Sequence, residues 1–253
     1  MTFIQSPLDQ FEVQPLIILN IPIVGDFIIS LTNLGLYSII TISLILGLHL
    51  IANNGHRLIP SSWSITIESF FATIQTIVRS QIGANSESYF PFIYSIFFFI
   101  LIANLNGNIP YGFTITTSIM VSIGLSVMIF LGVTILMISN HGFHSFAFFV
   151  PSGTPLALVP ILVLIELISY FARAVSLGVR LFSNIVSGHT LLAILSTFLG
   201  QLFTASLLVA LLTLIPYAIF IFLIVLEMAV SLIQAYVFSV LVCSYIKDAI
   251  ELH

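Results

Sequence analysis

Polar positions are so sparse along this chain that the apolar runs between them set out its architecture. Residues 27–52 carry no charged side chain and are long enough to cross a bilayer as a helix. Asn53–Asn54–Gly55–His56–Arg57 then ends the run with turn-forming and basic residues. The rhythm changes over 60–82. Trp63, Ile67, Phe70, Phe71, Ile74, Ile77, Val78 and Ile82 recur at helical spacing, while Glu68, Thr73, Gln75, Thr76, Arg79 and Ser80 fill the other face. This predicts an amphipathic helix lying in the interface or along a groove, started by Pro60 and Ser61. A short span over 89–105 is closed by Asn106–Gly107–Asn108–Ile109–Pro110, and another follows over 113–139. A loop with His141, His144, Pro151, Pro155 and Pro160 leads into two runs, 156–199 and 203–250. Each is roughly twice as long as a perpendicular helix needs, so each is broken or steeply tilted. Pro216 either kinks the last run or marks a later start for its helix. The predicted fold is an all-α membrane protein with about five membrane-embedded helices and one interfacial helix. Residues 1–26 form an N-terminal segment and 27–253 a single helical membrane domain.

Composition narrows the class. Of 253 residues, 59% are hydrophobic and 6% charged, with a mean hydropathy of +1.23. Soluble domains carry about 25% charged residues, and barrel strands alternate over about ten, so neither class fits. A net charge of −4, from 5 basic and 9 acidic side chains, gives no footprint for nucleic acid. Cys243 is the one cysteine, which excludes a disulfide framework and a thiolate metal site. No metal site and no cofactor are predicted. His49 and His56 belong to one helix end and make no haem pair, His141 and His144 read as loop residues, and no Gly-x-x-x-x-Gly-Lys loop is present to cradle phosphate. The start of the chain lacks a basic signal region and contains Asp9 and Glu12. Arg57 and Arg79 put the segment they flank on the cytoplasmic or matrix side, with the N-terminus opposite.

The few buried-depth charges carry the chemistry. No Asp, Glu, Lys or Arg occurs between Glu87 and Glu166, or between Arg180 and Glu227. A guanidinium does not shed its proton, and at membrane depth it costs from about 2.5 to more than 10 kcal/mol. Arg180 therefore points to a use. On a helix, Glu166, Arg173, Arg180, Asn184 and Ser187 fall in one narrow stripe; Glu227, Ser231 and Gln234 share another, with Asp248 about 60° away. If the two runs pair antiparallel, His189 meets Glu227, Arg180 meets Gln234 and Glu166 meets Asp248, leaving Arg173 without a level partner. Glu166 then lies roughly 21 Å along the axis from Arg180, and His189 roughly 13 Å on the other side. His189 with Glu227 can relay protons near neutral pH, and the two carboxylates at the far end can share one. Arg180 between them repels protons from either side. The pattern is two half-paths and a barrier. On a straight helix, however, His189 points about 180° from Arg180, so the path must wrap around the helix or the helix must bend.

The string Ser176–Leu177–Gly178–Val179–Arg180–Leu181–Phe182–Ser183–Asn184–Ile185–Val186–Ser187–Gly188–His189 resembles the signature of subunit a of F-type ATP synthases. Further segments strengthen the likeness to fungal mitochondrial forms: Ser6–Pro7–Leu8–Asp9–Gln10–Phe11, Ile102–Ala103–Asn104–Leu105, Val150–Pro151–Ser152–Gly153–Thr154–Pro155–Leu156, Gln234–Ala235–Tyr236–Val237 and Tyr245–Ile246–Lys247–Asp248–Ala249. The resemblance implies a stator channel in the mitochondrial inner membrane facing a rotating c-ring. The peripheral stalk and other membrane-sector subunits would be its further partners, with lipid around them and protons as the transported species. It implies His189 and Glu227 as an inlet half-channel, Arg180 as the essential stator cation, and Glu166 and Asp248 as the outlet. Asn184, Gln234, Arg173 and Ser176 would be supporting polar groups. It also implies that the last two helices run tilted along the ring, and that a leader, Met1 to Gln5, is cut away. Glu251 departs from the pattern, since related chains carry an apolar or aromatic residue there.

Some residues keep two readings. Arg173 either neutralises Glu166 or shapes the outlet, and Asp248 is either an outlet group or a solvated residue near the C-terminus. Gly178 and Gly188 serve close helix packing or ring clearance. Two rival functions are a stand-alone proton-coupled transporter and a non-transporting subunit of a respiratory complex. A carrier should show paired broken helices in two halves, and no internal repeat is visible. A purely structural subunit has no use for a central arginine flanked by titratable pairs. For Arg180 the physical reading is direct: a ring carboxylate about 4 Å away is attracted by about 4 kcal/mol at an effective dielectric of 20, which favours its ionised form.

Overall fold

A computed structural model describes residues 8–21, 27–53, 60–109, 112–150, 158–205, 209 and 212–250. The implied leader and Glu251 lie outside them. Among the described residues there are six helices: α1 (Asn33–Ala52), α2 (Ser62–Ile82), α3 (Phe90–Gly107), α4 (Ile119–His141), α5 (Val159–Ala205) and α6 (Leu214–Ile250). All but α2 are long and apolar enough to span a membrane.

The fold is all-α with one local exception. The span expected from residue 27 does not begin as a helix, because Phe27–Thr32 (β2) pairs antiparallel with Pro15–Ile21 (β1). Both segments are rich in isoleucine, whose branched side chain suits a strand as well as a membrane helix, so the apolar run concealed the change. The switch to helix falls at Thr32, whose hydroxyl accepts from the Gly35 N–H at 3.3 Å as an N-cap. Asn33 ties the hairpin base to α1, donating to the Glu12 carbonyl at 3.0 Å and accepting from the Gln14 N–H at 3.2 Å.

Other boundaries move for similar reasons. The span placed over 113–139 opens with a 3-10 turn, Ile115–Thr117, and α4 begins only at Ile119. The last run starts at Leu214, so Pro216 sits in the first turn of α6, where a missing N–H breaks no helical bond. Pro216 thus marks a later start. On α2, Ile74, Val78 and Ile82 are buried while Trp63 and Ile65 are more than half exposed, and the helix packs against α1, α3 and α6.

The bundle is organised around α6, which touches α2, α3, α4 and α5. Phe238, Val242 and Cys243 on α6 are fully buried against Ile93 and Ile100 of α3 and Val78 of α2. Helix α1 leans on α2 and α3 only lightly, leaving Ile39, Leu46, Leu50 and Ile51 exposed to the surroundings. At 47 and 37 residues, α5 and α6 are about 70 and 55 Å long, well beyond the ~30 Å hydrocarbon thickness. Helix α5 buries a single seam of Ala174, Leu177, Leu181 and Ile185 and exposes Val175 and Val179 beside it.

Gly178 lies in that seam and lets α5 approach α4 closely. A Cβ there would stand 2.5 Å from Ser126 Oγ, 2.9 Å from the Ser122 carbonyl and 3.0 Å from Ile123 Cα. The glycine serves packing and gives no clearance on the outer face. Gly178→Val should therefore lower folding stability by about 1–3 kcal/mol, seen as a lower melting temperature of the detergent-solubilised protein.

Candidate functional site

The polar residues of α5 and α6 come together in three groups down one antiparallel pair. At one end His189 Nε2 stands 3.7 Å from Glu227 Oε1, with both side chains mostly buried. In the middle Asn184 Nδ2 donates to Gln234 Oε1 at 2.8 Å. At the other end Arg173 bridges two carboxylates, reaching Glu166 Oε1 at 3.6 Å and Asp248 Oδ2 at 3.1 Å.

Two of the expected pairings change partners. Gln234 bonds Asn184, not Arg180, and Arg173, expected to lack a level partner, is the cation between Glu166 and Asp248. The guanidinium is long enough to reach back along α5 and across to α6 at once, which depth alone does not reveal. The two acids are thus joined through a permanent positive charge and do not face each other as a proton-sharing pair. Arg180 is exposed on α5, close enough to Tyr245 of α6 for its charge to act on that phenol, and among the described residues it forms no hydrogen bond or ion pair. Ser176 is exposed as well, and Ser187 Oγ donates to the Asn184 carbonyl at 3.1 Å.

The opposite directions of His189 and Arg180 are real: one faces the bundle interior and the other the outside. Two cavities with shared lining residues lead from His189 as far as Asn184, four residues along α5 from Arg180, which lines neither. The first, of about 560 Å³, is lined by Gln10, Tyr37, Asn108, His189 and Glu227. The second, of about 240 Å³, is lined by Asn184, Ser187, Gly188, Glu227 and Val230. Glu227 and Leu192 border both. Gly188 makes this possible, since a Cβ there would meet the Glu227 carboxylate oxygen at 2.7 Å.

A hydroxyl and amide network surrounds this acid, much of it unremarked in the sequence. Asn108 Nδ2 donates to Ser231 Oγ at 2.9 Å, and Ser231 Oγ donates to the Glu227 carbonyl at 2.9 Å. Thr116 Oγ1 donates to Asn104 Oδ1 at 2.9 Å, and Ser122 Oγ to the Thr116 carbonyl at 2.6 Å. Asn104, Asn106 and Asn108 had read as part of a motif and as a helix end, and Thr114 to Thr117 as part of a span. Their signal was the clustering of amides and threonines in a stretch otherwise apolar. Elsewhere, His49 bonds the Ile45 carbonyl and the Tyr94 hydroxyl, at 2.8 and 3.0 Å, joining α1 to α3. His141 meets the Ile250 carbonyl at 3.0 Å. His56 lies outside the described residues.

Fold and site together define a polytopic α-helical membrane protein that holds ionisable groups between its two longest helices. The sequence model for the ATP synthase A chain matches residues 35–247. The chain is 63% identical over 250 residues to ATP synthase subunit a of Mycosarcoma maydis, covering 99% of this chain and 98% of that one. It is 50% identical over 252 residues to ATP synthase subunit a of Emericella nidulans and 46% identical over 252 residues to that of Kluyveromyces lactis, with the same coverage in each case. The chain belongs to the ATP synthase A chain family.

The Arg173 cluster makes a prediction of its own. Each of its three side chains is about one-third exposed, so Arg173→Met should destabilise by about 1–3 kcal/mol, less than a fully buried pair would. Adding Glu166→Gln and Asp248→Asn removes the unpaired carboxylates and should recover most of that loss, checked by melting curves of the single and combined variants.

Proposed function

We propose that this chain is the proton-translocating stator subunit of the membrane sector of an F-type ATP synthase in the mitochondrial inner membrane. It works against a ring of c subunits, with its N-terminus toward the intermembrane space and its C-terminus toward the matrix. ATP synthesis and proton transport across a membrane follow from family membership. The finer reading is two offset aqueous half-channels separated by Arg180.

One observation carries this reading: Arg180 is exposed on α5 and has no ion-pair partner among the described residues. A guanidinium in that position needs an anion from outside the chain, because hydrocarbon gives it none. A carboxylate on a neighbouring ring of helices supplies one. Protons enter the cavity at His189 and Glu227, pass round α5 beside Gly188, and load a ring acid on the outer face. The neutral acid then travels through lipid. On reaching Arg180 from the far side it ionises, and its proton leaves past Glu166, Arg173 and Asp248 to the matrix. A ring acid beside Arg180 gains nothing from the cation while protonated, so the arginine also blocks direct leakage between the half-channels.

Both α5 and α6 are continuous helices, which supports this reading over a self-contained carrier with broken helices. The complex should co-purify with small two-helix subunits that each carry one mid-membrane carboxylate, and the chain without them should not conduct protons down a gradient. Arg180→Lys should reduce coupled ATP synthesis to background, because a desolvated lysine can deprotonate. Normal growth of such a strain on a non-fermentable carbon source would overturn the reading.

A further inference from the structure

Thr114 stands just before the turn Ile115–Thr117 and is buried, 4% exposed. Its hydroxyl meets His189 Nε2 at 3.2 Å, and among the described residues it has no other partner. The same nitrogen lies 3.7 Å from Glu227 Oε1. One imidazole nitrogen therefore faces two oxygens of different chemistry. A hydroxyl donates or accepts, whereas a carboxylate only accepts.

The seat of Thr114 is tightly built. Gly107 of α3 lies flush against it, and a Cβ at 107 would overlap the threonine side chain. Thr117 Oγ1 donates to the Thr114 carbonyl at 2.5 Å. Phe11 packs edge-on against the imidazole, with ring centroids 6.2 Å apart and planes at 69°. Glu227 is the charged group facing the ring from α6, and the phenol of Tyr37 on α1 lines the same cavity.

We propose that Thr114, seated by Gly107, is a positioning residue that holds the His189 imidazole for proton transfer to Glu227. With Nε2 bare, the Thr114 hydroxyl donates to it and keeps the ring in place. Once Nε2 carries a proton, that N–H turns to the carboxylate, where the bond is charge-assisted. The proton then leaves Nε2 for a Glu227 oxygen, which gives a neutral imidazole and a carboxylic acid, and the threonine recaptures the ring. This rests on the reading of His189 and Glu227 as the inlet relay.

The test uses the assembled synthase in inner-membrane vesicles, with assembly checked on native gels. Thr114→Val, which keeps the shape and removes the hydroxyl, should slow ATP synthesis by about three- to tenfold, the range of one ordinary hydrogen bond. Its dependence on the pH of the intermembrane side should be displaced, while Thr114→Ser should recover most of the rate and the native pH profile. Gly107→Ala should mimic Thr114→Val. A Thr114→Val enzyme with native rate and profile would overturn the proposal, as would Thr114→Ser failing equally. If Thr114→Val and Thr114→Ala both fail to assemble while Thr114→Ser does, the hydroxyl serves assembly and the proposal is wrong. Glu227→Gln run in parallel separates the two claims. Native activity in that variant sinks the inlet reading, whereas its inactivity beside an unaltered Thr114→Val sinks only the positioning role.

Discussion

A guanidinium keeps its proton whatever surrounds it, so at membrane depth it must find a negative partner or reach water. In this protein the two arginines of α5 meet that requirement differently. Arg173 is satisfied inside the chain by Glu166 and Asp248, while Arg180 faces outward with no such partner among the described residues. The difference divides the helix into a part that is complete and a part that is not. The incomplete part is where the proposed ring acid would come.

The rest of the architecture follows from keeping that face available. Helix α5 devotes one seam to α4 and α6 and leaves the remainder unpacked. Glycines carry the close approaches: Gly178 at α4, Gly188 at Glu227 and Gly107 at Thr114. Each lets a polar group or a backbone come nearer than a side chain would allow. At Gly188 this places the Glu227 carboxylate at the boundary of both cavities.

Much of this was legible in the sequence because charge is so rare that every instance is informative. The helical class, the amphipathic α2 and the pairing of His189 with Glu227 all follow from spacing and depth. What periodicity missed depends on three-dimensional detail. The Ile-rich segments of β1 and β2 satisfy a strand and a membrane helix equally, so composition did not separate them. Arg173 was matched to Glu166 on its own helix but given no partner on α6, because helix depth ignores the reach of a long side chain. Thr114 and Asn108 were passed over because hydroxyls and amides cost little at a helix end, and only their partners on α5 and α6 reveal their place. The opposite directions of His189 and Arg180 were visible from helix geometry, but the cavities beside His189 and Glu227 were not.

The long seam of Ala174, Leu177, Gly178, Leu181 and Ile185 has a mechanical side. A part that stays still while its neighbour turns must resist torque, and a slack contact would dissipate it as sliding. In the proposed stator role, a push at the outer face of α5 would pass through the close approach at Gly178 into α4 and through the α5–α6 contact into α6, and from α6 to α2 and α3.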